Sequence, residues 1–285
     1  MRIIVHGGAG GTAKKPAVRQ RELGAAAAAG TEAEDPVDAA VAAAAELESA
    51  PRFNAGVGSA VQSDGRIRTD AGLMTDDGTT GAACSMVGVE HAAEVARVVA
   101  SETPHVLLAG ERATDLAAAS GVATNRDLWT DRTREQWADL DTPEGDVRDH
   151  LGWVRERFGG ADTIGAVATD GETVTTVTST GGRWCALAGR VGDVPQVGAG
   201  FYAVDGVAAS ATGAGEAIAR FGLARRAVNL VGDMPPQLAA DRAMDAFERA
   251  TDEQAGLILL DTAGRTGSTY NSEEMLTAVR GESTG

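Results

Sequence analysis

The sequence contains few lysines, cysteines and aromatic residues. Among its 285 residues, Lys14 and Lys15 are the only lysines, Cys84 and Cys185 are the only cysteines, and 4% are aromatic. Two cysteines are too few for a disulfide framework or for a zinc site made of cysteine pairs. No apolar run approaches the ~20 residues that span a bilayer, and glycines follow the first strand too early for a signal-peptide core. We therefore expect a cytoplasmic protein without a membrane partner.

Positive charge is also scarce. The chain has 25 Lys+Arg against 41 Asp+Glu, which gives a formal net charge of −16. A protein this acidic has no electrostatic attraction to nucleic acid or to an anionic membrane surface. Excess carboxylate and little lysine are typical of proteins that work in molar salt, where a Debye length of ~3 Å screens the self-repulsion. We expect salt adaptation, as in a halophile; arginine-biased codon usage is the alternative explanation.

The remaining composition is that of a folded globular protein. Hydrophobic residues make up 43% of the chain, and its 37 glycines follow no triplet period and indicate many tight turns. Strands and helices are mixed along the chain, and the strands come in consecutive pairs. This order favours a layered α+β fold over a doubly wound parallel sheet. We expect helices at about 16–30, 35–49, 91–101 and 105–119, and after Gly213 and Pro236, and strands at about 2–5, 82–89, 163–169, 173–179, 196–204, 206–211, 256–260 and 267–270.

Several common site patterns are absent. His91, His105 and His150 lack the spacing of metal ligands. The Gly213-Ala214-Gly215 triplet fails as a dinucleotide fingerprint, because Ile218 stands where the third small residue belongs.

A polar segment at about 122–162 ends abruptly at Thr163, the first residue of a predicted strand. The segment is rich in Asp, Arg, Thr and Trp, and we expect a flexible linker with one helix around 147–158. Three short motifs follow it: Thr178-Ser179-Thr180-Gly181-Gly182, Gly189-Arg190-Val191-Gly192-Asp193 and Ala211-Thr212-Gly213-Ala214-Gly215-Glu216. Each of them alone is weak, since a threonine that starts a strand is usually structural.

Together and in this order, these segments resemble the plant-type asparaginase and isoaspartyl aminopeptidase family of N-terminal nucleophile hydrolases. The resemblance covers nearly the whole chain, including His6-Gly7-Gly8-Ala9-Gly10, Phe53-Asn54-Ala55-Gly56 and Tyr270-Asn271-Ser272-Glu273. It implies one domain over residues 1–285 with a four-layer αββα sandwich. It also implies a precursor that cuts itself between Asp162 and Thr163 into chains 1–162 and 163–285, which assemble as a dimer of heterodimers.

The chemistry explains why such a precursor would need to be cut. A threonine hydroxyl is a poor nucleophile without a base, and inside a chain Thr163 has only a non-basic amide nitrogen. Cleavage frees an α-amine with an ordinary pKa of ~7.7–8.0, which can act as the base for its own hydroxyl. The resemblance implies hydrolysis of L-asparagine and of β-aspartyl dipeptides through an ester on Thr163, without a catalytic cofactor.

The resemblance also implies roles for the other site residues. Thr180 hydrogen-bonds the nucleophile, Thr212 and Gly213 form the oxyanion hole, and Asn54 orders water or the nucleophile region. Arg190 binds the substrate α-carboxylate, while Asp193 and Gly215 bind its ammonium group. An arginine and an aspartate three residues apart suit the two charges of a free amino acid end, although alone they would equally suit a surface ion pair.

The loop that contains Asn54 resembles the sodium-binding loop of the family. The resemblance implies that Na+ or K+ is held by the backbone carbonyls of Leu47, Glu48, Ala50, Phe53, Ala55 and Val57. Carbonyl oxygens suit a hard cation. A plain capping loop is the alternative.

Two departures from the family pattern leave the substrate open. Asp162 stands where many members have glycine, and Asp-Thr is typical of glycosylasparaginases and of the threonine-type endopeptidase relative. The segment Arg183-Trp184-Cys185-Ala186-Leu187-Ala188 replaces the usual polar stretch before Gly189. A glycosylasparaginase-like amidase and a non-catalytic member therefore remain as alternatives. No tryptophan lies near the N-terminal strand, which favours the asparaginase branch.

Overall fold

A computed structural model describes residues 1–13, 15–160 and 162–282. Its strands are β1 (Arg2–Gly10), β2 (Arg68–Thr75), β3 (Thr80–Val87), β4 (Leu107–Ala109), β5 (Ile164–Thr169), β6 (Val174–Thr180), β7 (Phe201–Val204), β8 (Val207–Gly213), β9 (Ala255–Asp261), β10 (Thr266–Tyr270) and β11 (Glu274–Arg280). Its helices are α1 (Pro16–Thr31), α2 (Pro36–Glu48), α3 (Ala92–Glu102), α4 (Gly110–Ala119), α5 (Asp131–Ala138), α6 (His150–Arg157), α7 (Gly215–Phe221), α8 (Leu223–Val231) and α9 (Pro236–Ala250).

The strands form two sheets. The larger has seven strands in the order β11-β1-β5-β6-β2-β3-β4, and the smaller has four in the order β10-β9-β8-β7. All neighbours are antiparallel except β3 and β4. In the larger sheet β5 lies between β1 and β6, with Gly165 opposite His6 and Ile164 opposite Ser179. The residue before β5, Thr163, therefore lies at the end of an inner strand of this sheet.

Local sequence signals explain the helix starts near the site. The Asp35 side chain accepts hydrogen bonds from the backbone amides of Val37 and Asp38, and Pro36 occupies the first turn of α2. A capping aspartate followed by proline satisfies or removes the amides that a helix start leaves free. The helix then ends at Glu48, immediately before the loop that carries Asn54.

Among the described residues, three hydrophobic cores and one smaller cluster hold the elements together. One joins α1–α4 to the seven-stranded sheet through residues such as Leu23, Leu47 and Val95. A second joins α8 and α9 to the four-stranded sheet through Leu223 and Phe247. The third consists of buried strand residues from both sheets: Ile4, Ala9, Val167, Val174, Ala203, Ala208, Ile258, Leu260 and Met275. The expected mixed α+β class is confirmed, with helices packed against two sheets.

The polar segment at about 122–162 contains two helices, α5 and α6, where the sequence predicted one. Trp137 of α5 and Trp153 of α6 pack edge to face, with their ring centroids 6.1 Å apart. Leu128 packs against Val61 and Ile67 of the neighbouring hairpin. The predicted helix at 147–158 corresponds to α6, while the flexibility of the segment stays a prediction.

No helix within the described residues is long and apolar enough to cross a membrane.

Candidate active site

The candidate nucleophile, Thr163, is buried at the entrance to β5. Its Oγ1 donates a hydrogen bond to Thr180 Oγ1 at the end of β6, 3.3 Å away. The carbonyl of the preceding residue, Asp162, accepts hydrogen bonds from Asn54 Nδ2 at 2.7 Å and from Thr180 Oγ1 at 3.1 Å. Two donors on one carbonyl oxygen draw electron density away from the adjacent carbon. The peptide bond before Thr163 is thus both next to a hydroxyl and polarised.

Asn54 is held firmly by the turn that follows Thr180. Its Oδ1 accepts from the Ala60 amide at 2.8 Å, and its own carbonyl accepts from the Gly181 amide at 2.8 Å. Asn54 Nδ2 also donates to the Gly182 carbonyl at 2.6 Å. Because the oxygen and the nitrogen of its side-chain amide both form hydrogen bonds, Asn54 has one orientation towards the peptide bond before Thr163.

A buried polar chain lies beneath the nucleophile and joins the two sheets. His6 Nε2 and Ser210 Oγ are 2.8 Å apart, and Ser210 Oγ and Thr178 Oγ1 are also 2.8 Å apart. Burial lowers the pKa of His6 to about 3, against the opposing effect of a hydrogen bond with the Thr163 backbone. The imidazole is therefore neutral at neutral pH and acts as a hydrogen-bonding group rather than as a charge.

Thr212 and Gly213 end β8, in the smaller sheet. Thr212 is buried, and its Oγ1 accepts a hydrogen bond from the backbone amide of Ala9, at 3.3 Å. The glycine-rich end of β1 is thereby linked to β8. The chain continues from Gly213 directly into Gly215, the first residue of α7.

Arg190 and Asp193 each present a buried atom that has no hydrogen-bond partner among the described residues. These atoms are Arg190 Nη2 and Asp193 Oδ2. A hydrogen bond to Glu216 orients the Arg190 guanidinium, because Arg190 Nε donates to Glu216 Oε1 at 2.8 Å. A free guanidinium N–H and a free carboxylate oxygen are complementary to a carboxylate and an ammonium group.

The absence of a side chain at Gly215 makes room for this pair. A Cβ atom at this position would lie 2.6 Å from Asp193 Oδ1 and 2.8 Å from Arg190 Nη2. Both side chains therefore converge at the start of α7. The carbonyl of Gly215, which the resemblance assigns to the substrate ammonium group, belongs to the same turn of the chain.

The carboxyl groups around Arg190 differ in their pKa values. Burial raises the pKa of Asp193 to about 6 and that of Asp70 to about 7, with the Arg190 charge acting against both shifts. Burial also acts to raise the pKa of Glu216, but the hydrogen bond and charge of Arg190 hold it below its usual value. At neutral pH, Glu216 is ionised and Asp193 is mostly ionised, so negative charge surrounds Arg190 in the pocket.

Arg183, from the unusual segment, joins this pocket to the polar segment. Its Nη1 lies 3.2 Å from Glu216 Oε2, and its Nε donates to the Gly160 carbonyl at 3.1 Å. Its guanidinium also lies over the ring of Phe158, 4.1 Å from the centroid. The structure therefore links two sets of predicted residues, one around Thr163 and one around Arg190, through the turn at 180–183.

Some residues in contact with these sets were not predicted from the sequence, and Gln62, Glu216 and Asp70 are among them. Gln62 Nε2 donates to the Arg190 carbonyl at 3.0 Å, and its Oε1 accepts from the Gly189 amide at 2.7 Å. Glu216 binds Arg190 directly, and Asp70 faces it electrostatically. Glu216 is the last residue of the motif at 211–216 and could have been found from it. No local signal marks Gln62 or Asp70 as site residues, because Arg190 lies more than 100 residues away from both.

The predicted ion loop closes on itself. The carbonyl of Glu48 accepts from the Val57 amide at 2.8 Å, and that of Ala50 accepts from the Phe53 amide at 3.1 Å. Within the ranges that the structure covers, no group of three or more His, Cys, Asp or Glu side chains could hold a metal ion. An ion here would depend on backbone carbonyls.

Comparison with known proteins identifies the family. A family model described as asparaginase matches residues 1–285. The chain belongs to the asparaginase family. It is 39% identical over 287 residues to a plant-type L-asparaginase of Pyrobaculum calidifontis, which covers 96% of this chain and 94% of that protein. It is 33% identical over 287 residues to an isoaspartyl peptidase/L-asparaginase of Danio rerio, covering 96% and 90%.

A bacterial relative in the asparaginase family is named for isoaspartyl peptidase activity alone. This isoaspartyl peptidase of Salmonella typhimurium is 35% identical over 224 residues, covering 75% of this chain and 71% of that protein. The resemblance found in the sequence motifs is therefore confirmed over the whole chain.

Proposed function

We propose that this protein hydrolyses the side-chain amide of L-asparagine and the isopeptide bond of β-aspartyl dipeptides. The observation that carries the proposal is a pair of buried atoms, Arg190 Nη2 and Asp193 Oδ2, that have no hydrogen-bond partner among the described residues. Both substrates present an α-carboxylate and an α-ammonium group on the same carbon, and these two charges satisfy both atoms. The names of the relatives, L-asparaginase and isoaspartyl peptidase, agree with this pair of substrates.

The first step of the proposal is self-cleavage between Asp162 and Thr163. Thr163 Oγ1 bonds to the carbonyl carbon of Asp162, the C–N bond to Thr163 breaks, and the hydroxyl proton passes to the departing nitrogen. Water then opens the ester, leaving a carboxylate on Asp162 and a free α-amine on Thr163. The hydrogen bonds of Asn54 and Thr180 to the Asp162 carbonyl support this step, because they stabilise the negative charge that develops on its oxygen.

In the second step the freed α-amine acts as the general base for Thr163 Oγ1, which attacks the substrate amide. Thr212 and the Gly213 amide stabilise the oxyanion, while Thr180 holds the nucleophile. Ammonia or an amino acid leaves, and water hydrolyses the β-aspartyl ester. Arg190, Asp193 and the Gly215 carbonyl keep the substrate α-carbon in one orientation throughout. This chemistry needs no catalytic cofactor.

We also propose the assembly that the resemblance implies. The helix–sheet–sheet–helix arrangement of the three cores supports a four-layer αββα sandwich in one domain over 1–285. Cleavage would give chains 1–162 and 163–285, paired as a dimer of heterodimers, in the cytoplasm. From the resemblance alone, the proposal includes a structural Na+ or K+ held by carbonyls of the loop at 47–57, since such oxygens suit hard cations.

The test of the nucleophile is Thr163→Ala, with Thr175→Ala as a matched control. Thr175 is also buried in the sheet, and its hydroxyl has no hydrogen-bond partner in the described part of the chain. We expect Thr163→Ala to remain one species of about 29 kDa on a denaturing gel and to release no ammonia from asparagine. Thr175→Ala should cleave and turn over like the unsubstituted protein. Ammonia release by Thr163→Ala would overturn the assignment.

Asp162 before Thr163 favours a second candidate, a glycosylasparaginase-like amidase. Assays of asparagine, β-aspartyl-leucine and a glycosylated asparagine, side by side on the cleaved protein, separate the candidates. We expect the first two to be hydrolysed and the third to remain intact. A chain that stays uncleaved and inactive after long incubation in molar salt would instead indicate a non-catalytic member.

A further inference from the structure

The side chain of Asp162, directly upstream of Thr163, is paired with an arginine of α1. Arg19 Nη2 lies 3.2 Å from Asp162 Oδ2, and the same nitrogen donates to the Gly7 carbonyl of β1. The two side chains are 15% and 30% exposed. The Arg19 guanidinium also lies over the Phe53 ring, 4.8 Å from its centroid. The ion pair therefore connects the residue before the nucleophile to α1, to β1 and to the Asn54 loop.

The end of β1 is shaped to accept the Asp162 carboxylate. Gly8 has a φ of +104°, and a Cβ atom there would lie 1.9 Å from Asp162 Oδ1. Any side chain at this position would displace the carboxylate, and the backbone conformation itself favours glycine. The glycines of β1 thus allow the Asp162 side chain to lie against the backbone.

A second arginine strengthens the positive field at this point. Arg132 of α5 donates to the Gly58 carbonyl at 3.3 Å. Burial raises the pKa of Asp162, and the charges of Arg19 and Arg132 oppose that shift. Burial and the charge of Arg19 both lower the pKa of Arg132. The Asp162 carboxylate is thus placed in a partly buried site with two arginines, one of them in direct contact.

Asp162 is consequently held at both its side chain and its backbone. The carbonyl is bound by Asn54 and Thr180, and the carboxylate by Arg19. We propose that Arg19 is a positioning residue for self-cleavage, which fixes residue 162 through its carboxylate so that the scissile carbon stays within reach of Thr163 Oγ1. This inference rests on the proposed function, because it concerns the first step of that reaction.

A role in cleavage differs from a role in folding in one measurable way. If Arg19 acts through the Asp162 carboxylate, its replacement matters only while that carboxylate is present. The variant Asp162→Gly removes the carboxylate and keeps the peptide bond, so it provides a background in which Arg19 has nothing to position. A general loss of stability would slow cleavage in both backgrounds.

The experiment measures the rate of appearance of the two fragments, by denaturing gel and intact mass, for Arg19→Met in the natural and the Asp162→Gly backgrounds. We expect cleavage at least tenfold slower in the natural background and a change of less than twofold in Asp162→Gly. Arg19→Lys, which keeps the charge, should recover part of the rate. Arg21→Met is the matched control, since Arg21 is exposed on the same helix, and should cleave at the natural rate.

The outcomes separate this inference from the function on which it rests. The role of Arg19 would be overturned if Arg19→Met left the cleavage rate unchanged in the natural background. It would also be overturned if Arg19→Met slowed cleavage equally in both backgrounds. Either result would leave the proposal of self-cleavage intact. An unsubstituted chain that never cleaves would overturn both. Melting temperatures of all variants identify any that fail to fold, and the comparison within the Asp162→Gly background then decides.

Discussion

Under the proposed function, Arg190 and Asp193 are single residues that the fold prepares for a ligand. Each has one buried atom with no partner in the described residues, although such atoms cost free energy unless something binds them. The rest of Arg190 is fixed by Glu216 and by the backbone contacts of Gln62. A guanidinium held in this way loses little conformational freedom when a carboxylate arrives, which favours tight and oriented binding.

Gly215→Ala is the sharpest test of this pocket, because it adds one methyl group. The new Cβ would lie within 3 Å of both Asp193 Oδ1 and Arg190 Nη2, so both side chains must shift. We expect KM for asparagine to rise at least tenfold, with cleavage between residues 162 and 163 still occurring. The measurement is steady-state ammonia release by fully cleaved protein.

Gly232→Ala is the control for Gly215→Ala, since a Cβ atom at Gly232 would meet no atom within 4 Å. It should leave KM unchanged. An unchanged KM for Gly215→Ala would show that the substrate α-carbon does not bind between Arg190 and Asp193.

Several residues predicted for the site lie together in the structure, while their roles in catalysis and binding stay predictions. Thr163 hydrogen-bonds Thr180, Asn54 hydrogen-bonds the carbonyl of Asp162, and Arg190 and Asp193 converge at Gly215. Gln62 and Arg19 escaped prediction because each acts on a partner more than 100 residues away. Such contacts depend on how strands pair and helices pack, which local spacing does not contain.

Among the elements, α2, α3 and β6 meet at one buried carboxyl group. Glu48, the last residue of α2, is fully buried, and its Oε1 accepts hydrogen bonds from Ser179 Oγ and from the Ala93 amide. Its Oε2 has no partner in the described residues. Burial raises the pKa of Glu48 to about 8, above its ordinary value of 4.5. The native state therefore holds this proton across the neutral range.

Glu48→Gln should consequently change how stability depends on pH. A carboxyl whose pKa is higher in the folded state favours folding below the unfolded pKa, and this contribution is lost as pH rises through 8. The free energy of unfolding of the natural protein should therefore fall between pH 5 and pH 8.5. The amide of glutamine cannot ionise, so Glu48→Gln should melt at a higher temperature than the natural protein at pH 8.5.

The control for this prediction is Glu46→Gln, which removes an exposed carboxyl from the same helix. Its melting temperature should follow that of the natural protein at every pH. Parallel pH profiles for Glu48→Gln and the natural protein would contradict the burial of a protonated Glu48.

Most elements were predictable because their signals are local, whereas β11 was not predicted. The capped start of α2 and the paired runs of β5 and β6 appear where the sequence indicated them. In contrast, β11 is an edge strand with the irregular burial pattern of Glu274–Arg280, and it exists because it pairs with β1 from the far end of the chain. Val61 and Ile67 pair through an isolated bridge, and Leu128 packs against both.

For the whole molecule, the net charge of −16 must be reconciled with an anionic group on the substrate. Arg190 lies among Asp70, Asp193 and Glu216, so the pocket does not escape the general negative field. That field opposes any ligand with net negative charge when salt is low, and it is screened within ~3 Å at 1 M salt. The charge therefore affects how the protein meets its substrates as well as how it stays folded.

We predict that kcat/KM rises with KCl, and that it rises more for β-aspartyl-leucine than for asparagine. Asparagine is a neutral zwitterion at pH 7.5, whereas the dipeptide carries one additional carboxylate and is repelled more strongly in dilute buffer. The measurement compares both substrates from 0.05 to 2 M KCl, together with the melting temperature at each concentration. Sucrose at matched osmolality is the control for effects other than screening. Full activity and stability in dilute buffer would refute salt adaptation, and equal salt responses of the two substrates would show that the field of the protein does not extend into the pocket.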